Sequence, residues 1–197
     1  MLVGEFVRKF STVEMLPVDI DDHVEPAIRA TGVKDEIYIF PDPKLNPGIL
    51  RGEIKHWKFT HPDHSEDRRV ADITYSEAQD HEWQRLVCCK ELLHMLDPED
   101  KRVANPDDIH RLVERIILPP DMQDPFVDGP KVVADRVAVI YAVAVLFPLA
   151  CRTALLPDFT AGKRTLRQIA DDTELPIRYV ATVMSEIWPE IHQLLIS

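Results

Sequence analysis

The spacing of hydrophobic residues changes along this chain and predicts a small sheet followed by helices. Between residues 36 and 75, short runs rich in β-branched and aromatic residues are separated by proline-containing or polar turns. Such runs are typical of strands, and we place them at 36–40, 54–59 and 71–75. From about residue 77 onward, apolar residues recur every three or four positions, which favours helices. The sequence therefore predicts an α+β, mainly helical fold.

Two helices are predicted directly after the sheet. Ser76 is a candidate N-cap for a helix over about 77–97, because apolar residues continue at helical spacing until Pro98 ends the run. A second helix is predicted over 106–118, where the chain reaches another pair of prolines. The first of these helices carries the residues with the most informative chemistry.

A very apolar run over about 131–150 predicts a central helix. Because Asp135, Arg136 and Pro148 interrupt it, we interpret the run as a core helix and expect no membrane span. Short helices are predicted after it, on either side of a turn at 172–176. We expect one domain over 1–157, with a helical segment over 158–197 that packs on it.

Composition limits the function classes. The chain has 197 residues, 45% of them hydrophobic and 29% charged, as in an ordinary globular protein. A chain of this length can bury roughly 70% of its unfolded surface when it folds. Its formal net charge of −11 disfavours nonspecific binding to nucleic acid or anionic lipid. Three cysteines, two of them adjacent, form no disulfide framework, and we detect no cleavable signal sequence. We expect a cytoplasmic protein.

The segment Lys90-Glu91-Leu92-Leu93-His94 is an H-E-x-x-H motif with its first histidine replaced. In that motif the two histidines lie four residues apart on one helix face and bind zinc, and the glutamate activates the metal-bound water. Glu91 and His94 stand at the required spacing, while Lys90 occupies the first ligand position. Without further context, Glu91 and His94 are also what an ordinary amphipathic helix could carry.

The order of several weak motifs resembles the ImmA/IrrE family of zinc metallopeptidases. The strand ADITYS at 71–76 precedes WQRLVCCKELLH at 83–94, which is similar to the family's run into H-E-x-x-H. ADRVA at 134–138 with VLFP at 145–148 is similar to the family's third-ligand segment, and TLRQIA at 165–170 with LPIRYV at 175–180 to its C-terminal segment. The resemblance implies a zincin-like metallopeptidase fold and a regulatory role linked to phage or stress, in which family members cleave repressor proteins.

Two of the three zinc ligands that the resemblance implies are missing. The family's third-ligand glutamate corresponds to a position that holds Lys131 or Val133 here, and Lys90 replaces the first histidine. Deprotonating a lysine at neutral pH costs roughly 4 to 5 kcal/mol, so Lys90 is a poor ligand. We therefore expect no bound zinc, with Glu91 a vestigial general base and His94 the only remaining ligand.

Charge balance gives the substitution a physical meaning. Zinc with a ligand glutamate carries a charge of plus one, and Lys90 facing Val133 carries the same charge. We expect the Lys90 ammonium to pair with Glu91, with Asp135 or with both. The sequence then predicts a regulatory module that binds a protein partner, such as a transcriptional regulator, without cutting it.

Two alternatives remain at this stage. In the first, the chain is an active zinc-dependent endopeptidase in which Asp135 or Cys89 substitutes for a ligand. Cys88 and Cys89 are more commonly core residues. A polar loop with His61 and His64, near His56, offers at most an adventitious metal site.

In the second alternative, the C-terminal helices form a DNA-binding helix-turn-helix, with Arg167 and Arg178 as the main nucleic-acid contacts and Lys163 and Arg164 beside them. Acidic residues nearby reduce the positive charge that could contact a phosphate backbone. We therefore favour a C-terminal segment that only packs on the core, and expect no nucleic-acid partner.

Overall fold

The computed structural model describes residues 2–48, 50–59, 68–97 and 137–197. The predicted helix at 106–118 and the polar loop containing His61 and His64 lie outside these residues. The beginning of the predicted central helix lies outside them as well. It contains four residues of interest, namely Lys131, Val133, Asp135 and Arg136.

A three-stranded sheet is present, as predicted. Its strands are β1 (Glu36–Asp42), β2 (Gly52–Phe59) and β3 (Arg68–Ser76), in the order β1-β3-β2. The central strand β3 is parallel to β1 and antiparallel to β2. Strand β1 continues through Pro41, which an edge strand tolerates because one side of its backbone needs no partner strand. Each strand is longer than the pattern predicted.

The register of the sheet defines two different faces. Ile39 and Ile54 flank Ile73 of the central strand, and this row contacts the hydrophobic core. Because side chains alternate along each strand, the next row, with Tyr38 and Lys55 beside Asp72, lies on the opposite face. Within the described ranges, the hydrophobic core therefore packs against one face of the sheet.

Helix α3 (His81–Leu93) follows the sheet and continues as a 3₁₀ turn, His94–Leu96. Its N-cap is Asp80, so the predictions of a start near 77 and of Ser76 as the cap are wrong. Ser76 is instead the last residue of β3, and its hydroxyl donates to Leu45 O at 2.5 Å. The Ser76 hydroxyl therefore stabilises the loop between β1 and β2 and does not cap a helix.

The first thirty residues form helices that the sequence analysis did not predict. They are α1 (Val3–Phe10), a π-helical turn (Ile20–Val24) and α2 (Glu25–Arg29). A signal for α1 existed, because its apolar residues recur three and four positions apart. Helix α1 packs on the C-terminal helix, where a Cβ added at Gly4 would lie 2.7 Å from Leu195 O.

The apolar central run forms two helices, α4 (Val137–Leu146) and α5 (Leu149–Thr160), bent by 74° at the break between them. The predicted single helix to residue 150 is wrong because Pro148 has no N–H to continue it. None of the helices in the described ranges is by itself long and apolar enough to cross a bilayer, although this bent pair meets the length and composition criteria together. The predicted boundary after residue 157 falls inside α5.

Three short helices complete the chain, namely α6 (Leu166–Thr173), α7 (Ile177–Met184) and α8 (Trp188–Ile196). A capping box between Thr165 and Gln168 begins α6, and Glu174 ends it in the left-handed conformation with φ 51°. The predicted turn at 172–176 lies between α6 and α7. The core lies where the inner face of the sheet meets α3, α4 and these helices, and its largest side chains are Phe6, Ile73, Leu92, Phe147 and Trp188.

Candidate functional site

Helix α3 is held close to the sheet by the absence of a side chain at Gly52, the first residue of β2. A Cβ added there would lie 2.2 Å from Val87 Cγ1 and 2.8 Å from Thr74 O. The same Cβ would lie 3.7 Å from Glu91 Oε1. The Glu91 carboxylate therefore lies where the start of β2 meets the helix, and only glycine permits this approach.

Lys90 and Glu91 form an ion pair in this position. Lys90 Nζ lies 2.7 Å from Glu91 Oε1, and the two side chains are only 12% and 4% exposed. The distance between the two atoms is that of an ion pair, but their angles are not those of a hydrogen bond. Charge attraction therefore holds the two groups together. Because burial removes both charges from water, each stabilises the other against a large desolvation cost. The expected pairing of Lys90 with Glu91 is present, whereas Asp135 lies outside the described residues.

His94 does not continue the regular helix. It is the C-cap of α3 and the first residue of the 3₁₀ turn, and its side chain is 21% exposed. Its Nδ1 lies 2.7 Å from Asp97 Oδ2. A carboxylate on one ring nitrogen fixes the orientation of the imidazole, as it does for many metal-binding histidines. Asp97 is a partner that the sequence analysis missed.

The described residues do not fit the zinc site that the resemblance implies. Within residues 2–48, 50–59, 68–97 and 137–197, no group of three or more histidine, cysteine or carboxylate side chains could hold a metal ion. His94 is at a ligand position, but Lys90 places an ammonium at the neighbouring one. A divalent cation and an ammonium group repel each other, and Lys90 must lose its proton before it can act as a ligand.

The adjacent cysteines are buried thiols. Cys89 Sγ lies 3.9 Å from Ala142 O of α4, and the residue is fully buried. Burial raises the pKa of the Cys89 thiol above its ordinary range. Burial, with a smaller contribution from the charge of Glu91, raises the pKa of Cys88 to about 12. Because metal ligands and nucleophiles require the thiolate, the substitute ligand proposed at Cys89 lies in an unsuitable environment.

A second group of contacts, which the sequence analysis missed, joins α3 to the turn between α6 and α7. Glu174 Oε2 lies 3.1 Å from Arg85 Nε and 3.2 Å from His81 Nε2. Arg85 is buried and also donates through Nη2 to Val18 O at 2.8 Å. The left-handed conformation of Glu174 thus places a carboxylate where it neutralises a buried guanidinium.

Trp83 of α3 contacts two arginines beside this turn. Arg51 Cζ lies 3.8 Å from the centre of the Trp83 ring, and Arg178 Cζ lies 4.3 Å from it. The Tyr179 ring meets Trp83 edge-on at 5.8 Å. These residues come from the β1–β2 loop, α3 and α7, so no local pattern in the sequence could have identified the cluster.

The predicted nucleic-acid contacts are already engaged within the chain. Arg178 stacks on Trp83 and donates to Tyr179 Oη at 2.8 Å. The other three predicted basic residues each contact a carboxylate of α5 or α6, which reduces the positive charge they present to a phosphate backbone. These pairs are Arg167 with Asp171, Arg164 with Asp172, and Lys163 with Asp158.

The sheet face turned away from the core is aromatic and exposed. We call it the outer face, and its exposed aromatic residues are Tyr38, Phe40, Trp57 and Phe59. Trp57 Nε1 donates to Asp72 Oδ2 at 2.7 Å, which fixes an aromatic ring beside a carboxylate of the central strand. Solvent-exposed aromatic groups at this density are typical of interaction surfaces. The runs of β-branched and aromatic residues predicted the strands but not which face of the sheet is exposed.

A polar cavity of about 280 Å³ lies between the π-helical turn and α3. Arg85 in its wall is already engaged by Glu174 and Val18. Burial raises the pKa of the Tyr75 phenol in the same wall. Its other polar lining residues are Asp19, Asp21, His81, Gln84 and Cys88. The cavity adds no ligand to the Lys90–Glu91 pair.

Comparisons of this chain with models of known families, with curated proteins and with solved structures find no match.

Proposed function

We propose that this chain is a non-catalytic relative of the ImmA/IrrE zinc metallopeptidases that acts as a regulatory, protein-binding module. The supporting observation is the Lys90–Glu91 pair, in which a buried ammonium lies 2.7 Å from the carboxylate that the resemblance identifies as the general base. A general base must accept a proton from metal-bound water. An ammonium at ion-pair distance neutralises the charge of the Glu91 carboxylate.

The packing around Glu91 supports the proposal that the shape of the site is retained although its catalytic activity is lost. Gly52 still admits the close approach of β2 to α3, and Glu91 remains 3% exposed. A buried carboxylate without a cation would be strongly destabilising, so a chain that has lost the metal needs another positive charge there. Lys90 supplies that charge, as zinc with its ligands would in an active relative.

The outer face is the surface we propose for the protein partner. Besides its aromatic residues it carries more carboxylates than cations, and both of its cations, Lys55 and Arg68, already contact Glu53 and Glu36. The chain as a whole has a net charge of −11. These charges favour a basic partner segment whose arginine or lysine side chains can lie on aromatic rings beside Asp72. Transcriptional regulators commonly carry such segments because they bind DNA.

Metal analysis tests the loss of catalysis. Protein purified without chelator or metal-affinity tag is expected to contain well under one equivalent of zinc. The double substitution Lys90→His with Val133→Glu is expected to create zinc affinity, since it restores the ligand set implied by the resemblance. If the wild-type protein instead holds one tightly bound zinc, the proposal of a non-catalytic protein is wrong. If the folded double variant stays free of zinc, either the assignment of Val133 to the third-ligand position or the resemblance to the family is wrong.

The partner surface is tested with peptides of opposite charge. An arginine-rich peptide is expected to bind the wild-type protein in a salt-sensitive manner and a glutamate-rich peptide of equal length is not. Trp57→Ser should weaken that binding at least fivefold, whereas Leu194→Ser, at an exposed apolar position of α8, should leave it unchanged. Equal binding to the wild-type protein and both variants would contradict the assignment of the outer face.

The contact between His94 and Asp97 supports a second candidate, an active zinc endopeptidase with substituted ligands. A carboxylate at 2.7 Å from Nδ1 is the arrangement that orients many zinc-binding histidines. This candidate predicts one equivalent of zinc after purification and proteolysis that Glu91→Gln abolishes. Loss of zinc on Asp97→Asn would further support it.

A further inference from the structure

Trp83 brings two arginines together, Arg51 and Arg178. Within the described parts of the chain, neither Arg51 nor Arg178 has an ion pair with an acidic side chain. Six other arginines do contact a carboxylate, namely Arg29, Arg68, Arg69, Arg85, Arg164 and Arg167. Arg8 and Arg152 donate to backbone carbonyl oxygens instead. Among the described arginines, Arg51 and Arg178 therefore stand apart, because their side chains contact neither a carboxylate nor a carbonyl oxygen.

The two guanidinium groups are close enough to repel each other. Burial of Arg51 lowers its pKa, and the positive charge of Arg178 lowers it further, while Asp80 and the Tyr179 side chain act in the opposite direction. The attraction of each cation to the Trp83 ring compensates for part of this repulsion. A bound anion would remove the rest.

Contact with the Trp83 ring leaves hydrogen-bond donors of both groups available. A guanidinium stacks through its flat face, whereas its five N–H bonds point outward in the plane. Arg178 uses one donor group on Tyr179 Oη, and both residues are exposed to solvent. The pair can therefore present several N–H groups to one ligand with more than two acceptor oxygens.

The cluster is also held in place before any ligand arrives. The carbonyl oxygen of Arg51 accepts from Ser76 N at 2.9 Å and from Gln79 Nε2 at 3.2 Å, which fixes the backbone of this loop residue. Arg178 lies in the first turn of α7, and Trp83 lies in α3. Ordering the side chains on a rigid frame in advance reduces the entropy lost on binding.

We propose that Arg51, Trp83 and Arg178 form a binding site for a single phosphate group, such as a phosphate monoester. A monoester offers three terminal oxygens to two guanidinium groups, which a carboxylate cannot match. Glu174, Asp171 and Asp172 lie in the adjacent turn and helix, and their charges disfavour an extended polyanion such as duplex DNA. The site is separate from the Lys90–Glu91 pair, so it does not depend on the proposed loss of catalysis.

Titration at constant ionic strength tests the site. Inorganic phosphate, O-phosphoserine and adenosine monophosphate are each added to the intact chain, with sodium acetate as the comparison, and binding is followed by calorimetry. We expect saturable binding of phosphate compounds at one site and at least tenfold weaker binding of acetate. A tenfold preference for phosphoserine or for the nucleotide over inorganic phosphate would identify the source of the phosphate group.

Variants decide whether the cluster is responsible. Arg51→Gln and Arg178→Gln should each weaken phosphate binding at least tenfold, and Arg178→Lys should weaken it less because it keeps the charge but not the fork of donors. Arg167→Gln, at an exposed paired arginine, should leave it unchanged. Circular dichroism and thermal melting verify that each variant is folded.

Two outcomes would overturn the proposal. One is a phosphate response that does not saturate, or that survives in both glutamine variants. The other is duplex DNA binding that is tighter than nucleotide binding, steeply salt-dependent and weakened equally by Arg167→Gln and Arg178→Gln, which would assign the surface to nucleic acid.

Discussion

Positive charges near the two ends of helix α3 have different partners. Near its C-terminal end, Lys90 is 12% exposed and contacts the buried carboxylate of Glu91. Near its N-terminal end, Arg51 and Arg178 are exposed and contact the Trp83 ring instead of a carboxylate. Burial makes an internal counter-charge necessary in the first case, because unpaired charges are costly in a poorly solvated site. Water solvates the charges of the exposed arginines, so these side chains can remain available to a ligand.

The contrast separates what each region can contribute to function. A buried ion pair whose charges cancel has little remaining attraction for a metal ion, which would require proton loss or displacement of the ammonium. An exposed cation pair on an aromatic ring keeps its attraction for anions. We therefore expect binding chemistry at the N-terminal end of the helix and a structural role at the C-terminal end.

Lys90→Met should have the largest effect on stability because it removes the cation that contacts Glu91. Glu91 is 3% exposed, and Lys90 is the charged partner that the structure gives it. We expect the free energy of unfolding to fall by about 3 to 5 kcal/mol. Urea unfolding followed by circular dichroism measures the loss.

The double variant Lys90→Met with Glu91→Leu sharpens this result. Replacing both charges with apolar groups of similar volume should restore stability to within about 1 kcal/mol of the wild-type protein, because buried pairs are often no better than packed apolar residues. A single variant that unfolds at the wild-type urea concentration would show that Glu91 is not dependent on Lys90. That finding would remove the contrast between the two ends of the helix.

Gly52→Ala should have the next largest effect. The added Cβ would lie 2.2 Å from Val87 Cγ1 and 2.8 Å from a backbone oxygen, so α3 and β2 must move apart. Overpacking of this kind costs about 1 to 3 kcal/mol. The matched control is Gly48→Ala, where the nearest atom is the end of the Asn46 side chain at 3.2 Å. If both variants had equal urea midpoints, the close approach of β2 to α3 would be contradicted.

The strands and most helices could be predicted because they depend on residues close together in sequence. Runs rich in β-branched and aromatic residues around Ile39 and Ile73 identified the sheet, and the helical spacing of apolar residues identified α3 and α7. Helix α1 carries the same signal. Pro148 interrupts the central run, and because it has no N–H it also divides that run into two helices.

The candidate site was predictable only in part. Adjacent residues such as Lys90 and Glu91 can be paired from sequence and charge alone. The contacts of Glu174 with Arg85, and of two arginines with Trp83, depend on tertiary structure that brings distant segments together. No spacing rule links a loop, a helix and a turn, so these contacts could not be found without coordinates.

His192 allows a prediction about pH. It is 2% exposed on α8, and its Nε2 has no hydrogen-bond partner in the described part of the chain. Burial lowers its pKa below the ordinary value of 6.5. The unfolded chain then binds this proton more readily, so stability is fully present above about pH 6.5 and is lost as pH falls toward the lowered pKa.

Because only one proton is involved, the slope of the unfolding free energy against pH has an upper limit. It can reach about 1.4 kcal/mol per pH unit, and His192→Leu should remove that contribution. Urea midpoints between pH 7.5 and pH 5 measure it. Gln193→Leu, an apolar substitution at the neighbouring exposed position of α8, is the control and should keep the slope. A His192→Leu variant with the wild-type slope would assign the pH dependence to other groups.

The exposed pair of Arg167 and Asp171 should show the smallest effect. Arg167 Nε lies 3.0 Å from Asp171 Oδ1, which is close to the distance in the buried pair, but the side chains are 68% and 56% exposed. Because water screens both charges, Arg167→Gln should change the free energy of unfolding by only about 0.3 to 0.5 kcal/mol. Raising the salt concentration to about 1 M should remove even this difference, whereas the loss in Lys90→Met should persist. A loss in Arg167→Gln as large as that in Lys90→Met would mean that distance alone, and not burial, sets the strength of ion pairs in this protein.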